Sequence, residues 1–146
     1  MPDDAPDRSD GYVLDEQIGF LLRRAHQRAT SIFTGNFSDL NLTPTQFAAL
    51  AKIADRVGVS QNLLGRMTAM DPATMKGVID RLLERGLITR RPDPDDRRRA
   101  VLELTEEGLT LLQQAVPQGF QTTEDTLAPL SREERQRFLT LLAKIS

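Results

Sequence analysis

With 146 residues the chain has room for one domain, or one domain with an added helical arm, and is too short for two independent cores. A composition of 39% hydrophobic and 27% charged residues, with no apolar run near the roughly 18 residues of a membrane span, excludes a bilayer-embedded chain and predicts a cytoplasmic one. The absence of cysteine and the presence of a single histidine, His26, exclude thiol nucleophiles, disulfide switches and structural zinc sites, and the net charge of −2 leaves any polyanion-binding surface to be sought locally.

The opening stretch, 1–11, sets four aspartates against Arg8 and lacks both the basic start and the apolar segment of a signal peptide, so it reads as a disordered acidic lead. From Val13 to Phe33, Leu14, Ile18, Leu21, Leu22, Ala25, Ala29, Ile32 and Phe33 recur at spacings of three and four. That period predicts a long amphipathic helix with Arg23, Arg24, Gln27 and Arg28 on its other faces, broken at Gly35 and Asn36. Thr43, Pro44 and Gln46 then form an N-cap, a first-turn proline and a capping-box partner for a second helix running to about Val57, with Gly58 as its left-handed stop.

Ser60 caps a short third helix ending near Ala69 or Met70, built on Leu63, Leu64 and Met67. Asp71 and Pro72 open a fourth, whose apolar stripe is Met75, Val78, Ile79, Leu82 and Leu83 and whose stop is Gly86. Two strands follow, Leu87–Arg91 and Arg99–Leu104, joined by a turn rich in proline and aspartate; they form a hairpin with an arginine-rich tip. Thr105 caps a fifth helix that Pro117 and Gly119 are expected to kink. Ser131 and Glu134 cap a sixth, with Phe138, Leu139, Leu142 and Ile145 on its apolar face.

The expected fold is therefore mainly α with a small β-hairpin wing: a winged helix-turn-helix lobe at 39–108, set between a dimerisation helix at 12–38 and the C-terminal helices of a dimerisation arm at 109–146. In a helix-turn-helix the first short helix braces the second so that its outer face enters a major groove about 12 Å wide. The candidate contacts on the second, recognition helix are Asp71, Pro72, Ala73, Thr74, Met75, Lys76 and Arg81, with Asp80 as a local charge partner. Ser60, Gln61 and Asn62 on the bracing helix support them. Between Lys76 and Arg99 eight basic residues face five acidic ones, a local charge of +3 that leaves −5 for the rest of the chain. The wing contributes Arg90, Arg91, Asp96, Arg97, Arg98 and Arg99: arginines suited to phosphates or a narrow minor groove, and Asp96 to hold the tip in shape through a partner such as Arg98.

The run from Asp71 to Gly108, DPATMKGVIDRLLERGLITRRPDPDDRRRAVLELTEEG, resembles the recognition helix and wing of the MarR family of bacterial regulators. The family's wing pattern of aspartate, basic residue and arginine falls on Asp96, Arg97 and Arg98; its LT..G junction falls on Leu104, Thr105 and Gly108; the segment LTPTQFAAL, Leu42 to Leu50, and the helix order also fit. The resemblance implies a cytoplasmic homodimer joined through its first and last helices, two winged lobes reading a palindromic site, and a ligand cleft between the arm and each lobe. On this chain the cleft would involve Leu22, Arg23, Arg24, His26 and Phe47, cationic groups beside an apolar wall that suit a small organic anion. The first helix, LDEQIGFLLRRAHQRATSIF, is similar to a branch of the family that controls aromatic-acid breakdown, some members of which respond to aryl-CoA thioesters.

The residues argue for dimerisation independently. Leu14, Ile18, Leu21, Phe138, Leu142 and Ile145 offer more apolar surface than the winged lobe can cover, and a second copy would bury it. Two-fold symmetry then sets the recognition helices about 34 Å apart, on an inverted repeat. An enzyme has little support: no nucleophile is paired with a base, no glycine-rich loop cradles phosphate, and His26 has no metal-ligand companion, so neither a catalytic residue nor a cofactor or metal is expected. The alternative is a winged-helix module that binds only other proteins, distinguished by a lack of salt-sensitive binding to duplex DNA.

Overall fold

A computed structural model describes residues 10–146, so the expected acidic lead lies outside the described residues except for Asp10 and Gly11, which form a turn. Six helices and three strands follow: α1 (Ile18–Asn36), α2 (Pro44–Ala54), β1 (Val59–Ser60), α3 (Gln61–Thr68), α4 (Pro72–Glu84), β2 (Ile88–Pro92), β3 (Ala100–Leu104), α5 (Glu106–Thr126) and α6 (Arg132–Lys144). The architecture is the mainly helical winged fold that the pattern of caps and stripes predicts.

The capping residues are placed as expected. Thr43 and Gln46 form a reciprocal capping box on α2, Ser60 accepts from Leu63 N at the head of α3, and Ser131 and Glu134 repeat the box on α6. Each satisfies amide donors that a helix start leaves without partners. Between α4 and β2, Gly86 takes a φ of +68° that an L side chain resists, and Leu87 N closes back onto Leu82 O at 3.0 Å. The wing and α5 meet at this corner: Thr105 donates its hydroxyl to Gly86 O at 2.6 Å and accepts from Gly108 N. A Cβ on Gly108 would sit 2.0 Å from Leu87 O, so α5 rests directly on the strand backbone.

Three expectations need correction. The first helix is interrupted near its start: Leu14–Glu16 form a single 3-10 turn, Gln17 is extended, and α1 proper begins at Ile18. At its other end α1 runs through Gly35 to Asn36, because the Asn36 amide donates to Thr122 Oγ1 and Asp125 Oδ2 on α5, and that tertiary anchor outweighs weak helix propensity. α2 stops at Ala54, leaving Gly58 (φ +82°) in the loop that delivers β1, a strand too short for any sequence period to reveal. As the sequence implies, α5 runs past Pro117 and Gly119 as one helix; Gln113 and Pro117 are both exposed, so the carbonyl that lacks its usual donor faces water.

The sheet is antiparallel in the order β1-β3-β2, with Val59 opposite Leu102 and Arg90 opposite Leu102 on the other side. Leu50, Ile53, Leu64, Met75, Ile79, Leu82 and Leu102 are all but fully buried and bind α2, α3, α4 and the sheet into one core. Phe33 and Phe37 stack at 3.8 Å between ring centroids, and Phe47 meets Phe37 edge-on at 5.0 Å, joining the end of α1 to α2. Arg85, just past α4, donates to Asn41 O at 2.7 Å and so ties that helix to the corner between α1 and α2. α1 also lies along α5, where the Arg28 guanidinium donates to the carbonyls of Asp125 and Thr126 at the negative end of the α5 dipole. α6 has no buried residue; Arg135 anchors it through Leu130 O and Glu124.

Candidate nucleic-acid interface

α3 and α4 are joined by a tight turn. Ala69 adopts the left-handed conformation (φ 53°, ψ 40°), Met70 N returns to Gly65 O at 3.0 Å, and Asp71 begins the next helix. Its carboxylate accepts Thr74 N at 2.9 Å on one oxygen and the Thr74 hydroxyl at 2.7 Å on the other. The backbone bond from Thr74, followed by its hydroxyl, holds the Asp71 carboxyl below the usual aspartate value. Asp71 thus sets where α4 starts, and the Thr74 hydroxyl is already engaged.

From that start α4 buries Met75, Val78, Ile79 and Leu82 and turns Ala73, Thr74, Lys76, Gly77 and Arg81 to solvent. Met75, counted among the candidate contacts, is corrected here: its side chain is 1% exposed, packed against Gly65 and Thr68, and cannot reach a nucleic acid. Lys76 Nζ lies 2.8 Å from Asp80 Oδ2, an ion pair one turn along the exposed face. Arg81 has no side-chain partner among the described residues.

The wing tip is folded by its own acids. Asp93 N donates to Arg99 O, Arg99 N to Asp96 O, and the carboxylates of Asp93 and Asp96 accept Asp95 N and Arg98 N at 2.9 and 3.1 Å. Asp96 Oδ1 is 3.5 Å from Arg98 Nε and its Oδ2 is 3.8 Å from Arg99 Nε, so one carboxylate gathers two guanidinium groups. The two aspartates that look hostile to a polyanion are turn-builders. Arg90 and Arg97 have no side-chain partner among the described residues, whereas Arg91 is paired with Glu103 across the hairpin and is only half available.

Wing and bracing helix meet. A groove of about 480 Å³ is lined by Ser60, Gln61, Asn62 and Arg66 from the head of α3 and by Arg98, Arg99 and Ala100 from the wing. Ser60 spends its hydroxyl on the α3 cap, so Gln61 and Asn62 are the free polar groups there. Arg66 is absent from the residues singled out in the sequence, although its place four residues after Asn62 puts both on one helical face. A helix of about 10–12 Å diameter flanked by these cations has the width and charge of a major-groove reader with a phosphate clamp beside it.

The other candidate residues divide. Leu22 and His26 line an apolar groove of about 500 Å³ with Thr122, Thr126, Phe138 and Leu142, where α1, α5 and α6 converge. Arg23, Arg24 and Phe47 are not part of it. Arg24 lies 5.9 Å over the Phe20 ring and near Asp15, and Phe47 belongs to the aromatic cluster, its ring 3.0 Å from where a Cβ on Gly119 would be. Leu14, Ile18, Leu21, Phe138 and Ile145 are all exposed, and Leu142 is half-buried. Among the described residues no group of His, Asp or Glu is arranged to hold a metal, and no helix is long and apolar enough to cross a membrane.

Known proteins share this fold. A model of the MarR family matches residues 42–100. The chain is 41% identical over 144 residues, 99% of its length and 91% of the relative's, to the HTH-type transcriptional repressor NicR of Pseudomonas putida. A crystal structure of a probable transcriptional regulator from Pseudomonas aeruginosa superposes with a TM-score of 0.88 at 44% identity, covering 92% of this chain and all of that one. Bordetella bronchiseptica BpsR, solved to explain how 6-hydroxynicotinic acid regulates its DNA binding, gives a TM-score of 0.88 at 40% identity, covering 92% of this chain and 96% of the other.

Proposed function

The chain belongs to the MarR family of transcriptional regulators, and we propose that it works as a homodimeric repressor that reads an inverted-repeat operator and leaves it when a small organic anion binds. The observation that carries the DNA-binding assignment is the groove in which Gln61, Asn62 and Arg66 meet Arg98 and Arg99 beside the open face of α4. Side chains from two distant parts of the chain converge there on one cationic surface, for which the core has no use. In this reading Ala73, Thr74, Lys76 and Arg81 face base edges, while Arg97, Arg98 and Arg99 take phosphates or the adjoining minor groove.

Replacing Arg97 and Arg98 by Ala tests it. Two fewer phosphates are then neutralised by each wing, and the slope of log affinity against log salt should become shallower by about 1.8 per wing, at roughly 0.9 for each phosphate. An unchanged slope would remove the wing from the interface, and an absence of any salt-dependent duplex binding by the unaltered protein would favour a module that binds only proteins.

The dimer is supported by α6, none of whose residues is fully buried in its own protomer, and by the exposed Leu14, Ile18, Leu21, Phe138 and Ile145. A second copy supplies the cover that a single chain lacks. For the effector, Leu22, Ala25 and Phe138 provide apolar walls and His26 with the threonines of α5 provides hydrogen-bonding groups, a lining suited to a flat aromatic acid. The regulation of BpsR by 6-hydroxynicotinic acid makes that acid the first compound to titrate against the operator complex.

A further inference from the structure

Two facts about α4 are not explained by a positively charged reader. Its exposed face is not cationic overall, because Lys76 and Arg81 are matched by Asp80 and Glu84. And Asp80 is not at the margin of that face. It follows Ala73 by seven residues, which at 3.6 residues per turn returns it to within about 20° of Ala73 and nearly opposite the buried Leu82. A carboxylate in the middle of a surface meant for DNA repels phosphate unless it has a purpose there.

We propose that Lys76 and Asp80 act as one unit that reads a G·C base pair, with Asp80 as the specificity-determining residue of α4. This rests on α4 being the base-reading helix. The ammonium and carboxylate are 2.8 Å apart, and both side chains are substantially exposed, at 72% and 43%. Donor and acceptor presented side by side match the major-groove edge of a G·C pair, where guanine offers the O6 and N7 acceptors and cytosine the N4 amine donor. The helix can come close enough. Gly77 lies on the same exposed face with nothing within 4 Å of where its Cβ would be, and Ala73 adds only a methyl.

The pairing has a second effect. Held by Asp80, the Lys76 charge is not free to seek a phosphate, so α4 adds little to sequence-independent attraction and leaves that to the wing. Asp80 therefore raises discrimination twice, by accepting from the correct base and by withholding a cation from incorrect sequences.

The test is selection from a randomised duplex pool by the full-length protein and by Asp80→Ala and Asp80→Asn, combined with salt titration of binding to a non-operator duplex. The unaltered protein should enrich a G·C pair at one position of each half-site. Asp80→Ala should lose that preference by about tenfold at that position alone, and its non-operator slope should steepen by about 0.9 for each recognition helix as Lys76 reaches a phosphate. Asp80→Asn, which keeps the shape of the side chain, should shift the preferred pair towards A·T, since an amide matches adenine N6 and N7. If both variants select the same motif as the parent, the inference is overturned while DNA binding through α4 stands. If the parent enriches no sequence, the base-reading assignment itself has failed.

Discussion

Asp71 shows how much one side chain settles. Its carboxylate fixes the first turn of α4 and, through the two bonds from Thr74, its folded pKa lies below the ordinary value of 3.8. A depressed acid of this kind contributes stability that is complete above the unfolded pKa and is lost as pH falls through the folded one. Asp71→Asn retains a capping oxygen but not the charge, so its unfolding midpoint in urea should fall less steeply than the parent's as pH drops below about 4. Parallel curves would mean that the cap contributes nothing to acid sensitivity. Single residues are legible in the sequence where their role is local: Thr43, Ser60, Asp71, Thr105 and Ser131 are all caps, because capping needs only neighbours three residues away. Met75 passes for a contact in the sequence because adjacency to Thr74 and Lys76 says nothing about which way a helical side chain turns, and a step of about 100° sends it inward.

Elements are legible in proportion to their length and period. α4 and the hairpin declare themselves through an apolar stripe and a turn signal, whereas β1 consists of Val59 and Ser60 alone and exists because Leu102 and Val101 are there to receive it. The same holds for the end of α1, decided by α5 through Asn36. The corner between wing and α5 makes a sharper prediction. Gly108→Ala places a methyl 2.0 Å from the carbonyl oxygen of Leu87, backbone that has no side chain to swing aside. Overpacking of this severity costs about 1–3 kcal/mol or more, a fall of roughly 3–10 °C in the thermal midpoint for a chain of this size, and the displaced wing should weaken operator binding. Gly77→Ala, inside the same kind of helix but with open space around it, is the control that should hold or raise the midpoint, by up to about 3 °C, since alanine in a helix interior gains about 0.4–1 kcal/mol over glycine.

For the whole molecule the arm and the lobe present different problems. The buried core is one cluster from Phe33 to Ala115, centred on residues such as Leu50, Leu82 and Leu102, while the exposed large apolar residues, Val57 apart, lie at 12–22 and 109–145. That contrast is visible in the sequence as unused hydrophobic surface, although no spacing says which ligand candidates face a common groove; only Leu22 and His26 do, since α6 has first to be folded against α1 and α5. Truncation after Leu130 removes Phe138, Leu142 and Ile145 and should yield a monomer in sedimentation equilibrium with the far-ultraviolet signature of the lobe intact. A truncated chain that still dimerises and binds its operator would place the interface elsewhere.

The bond from Arg85 to Asn41 reaches across 44 positions to join the foot of α4 to the bend where the arm begins. A rod of thirteen residues is about 20 Å long, so a sideways push of about 1 Å at its foot tilts it by about 3°. The same rod carries Ala73, Thr74 and Lys76 at its far end, so the Arg85 bond makes their position depend on where Asn41 sits.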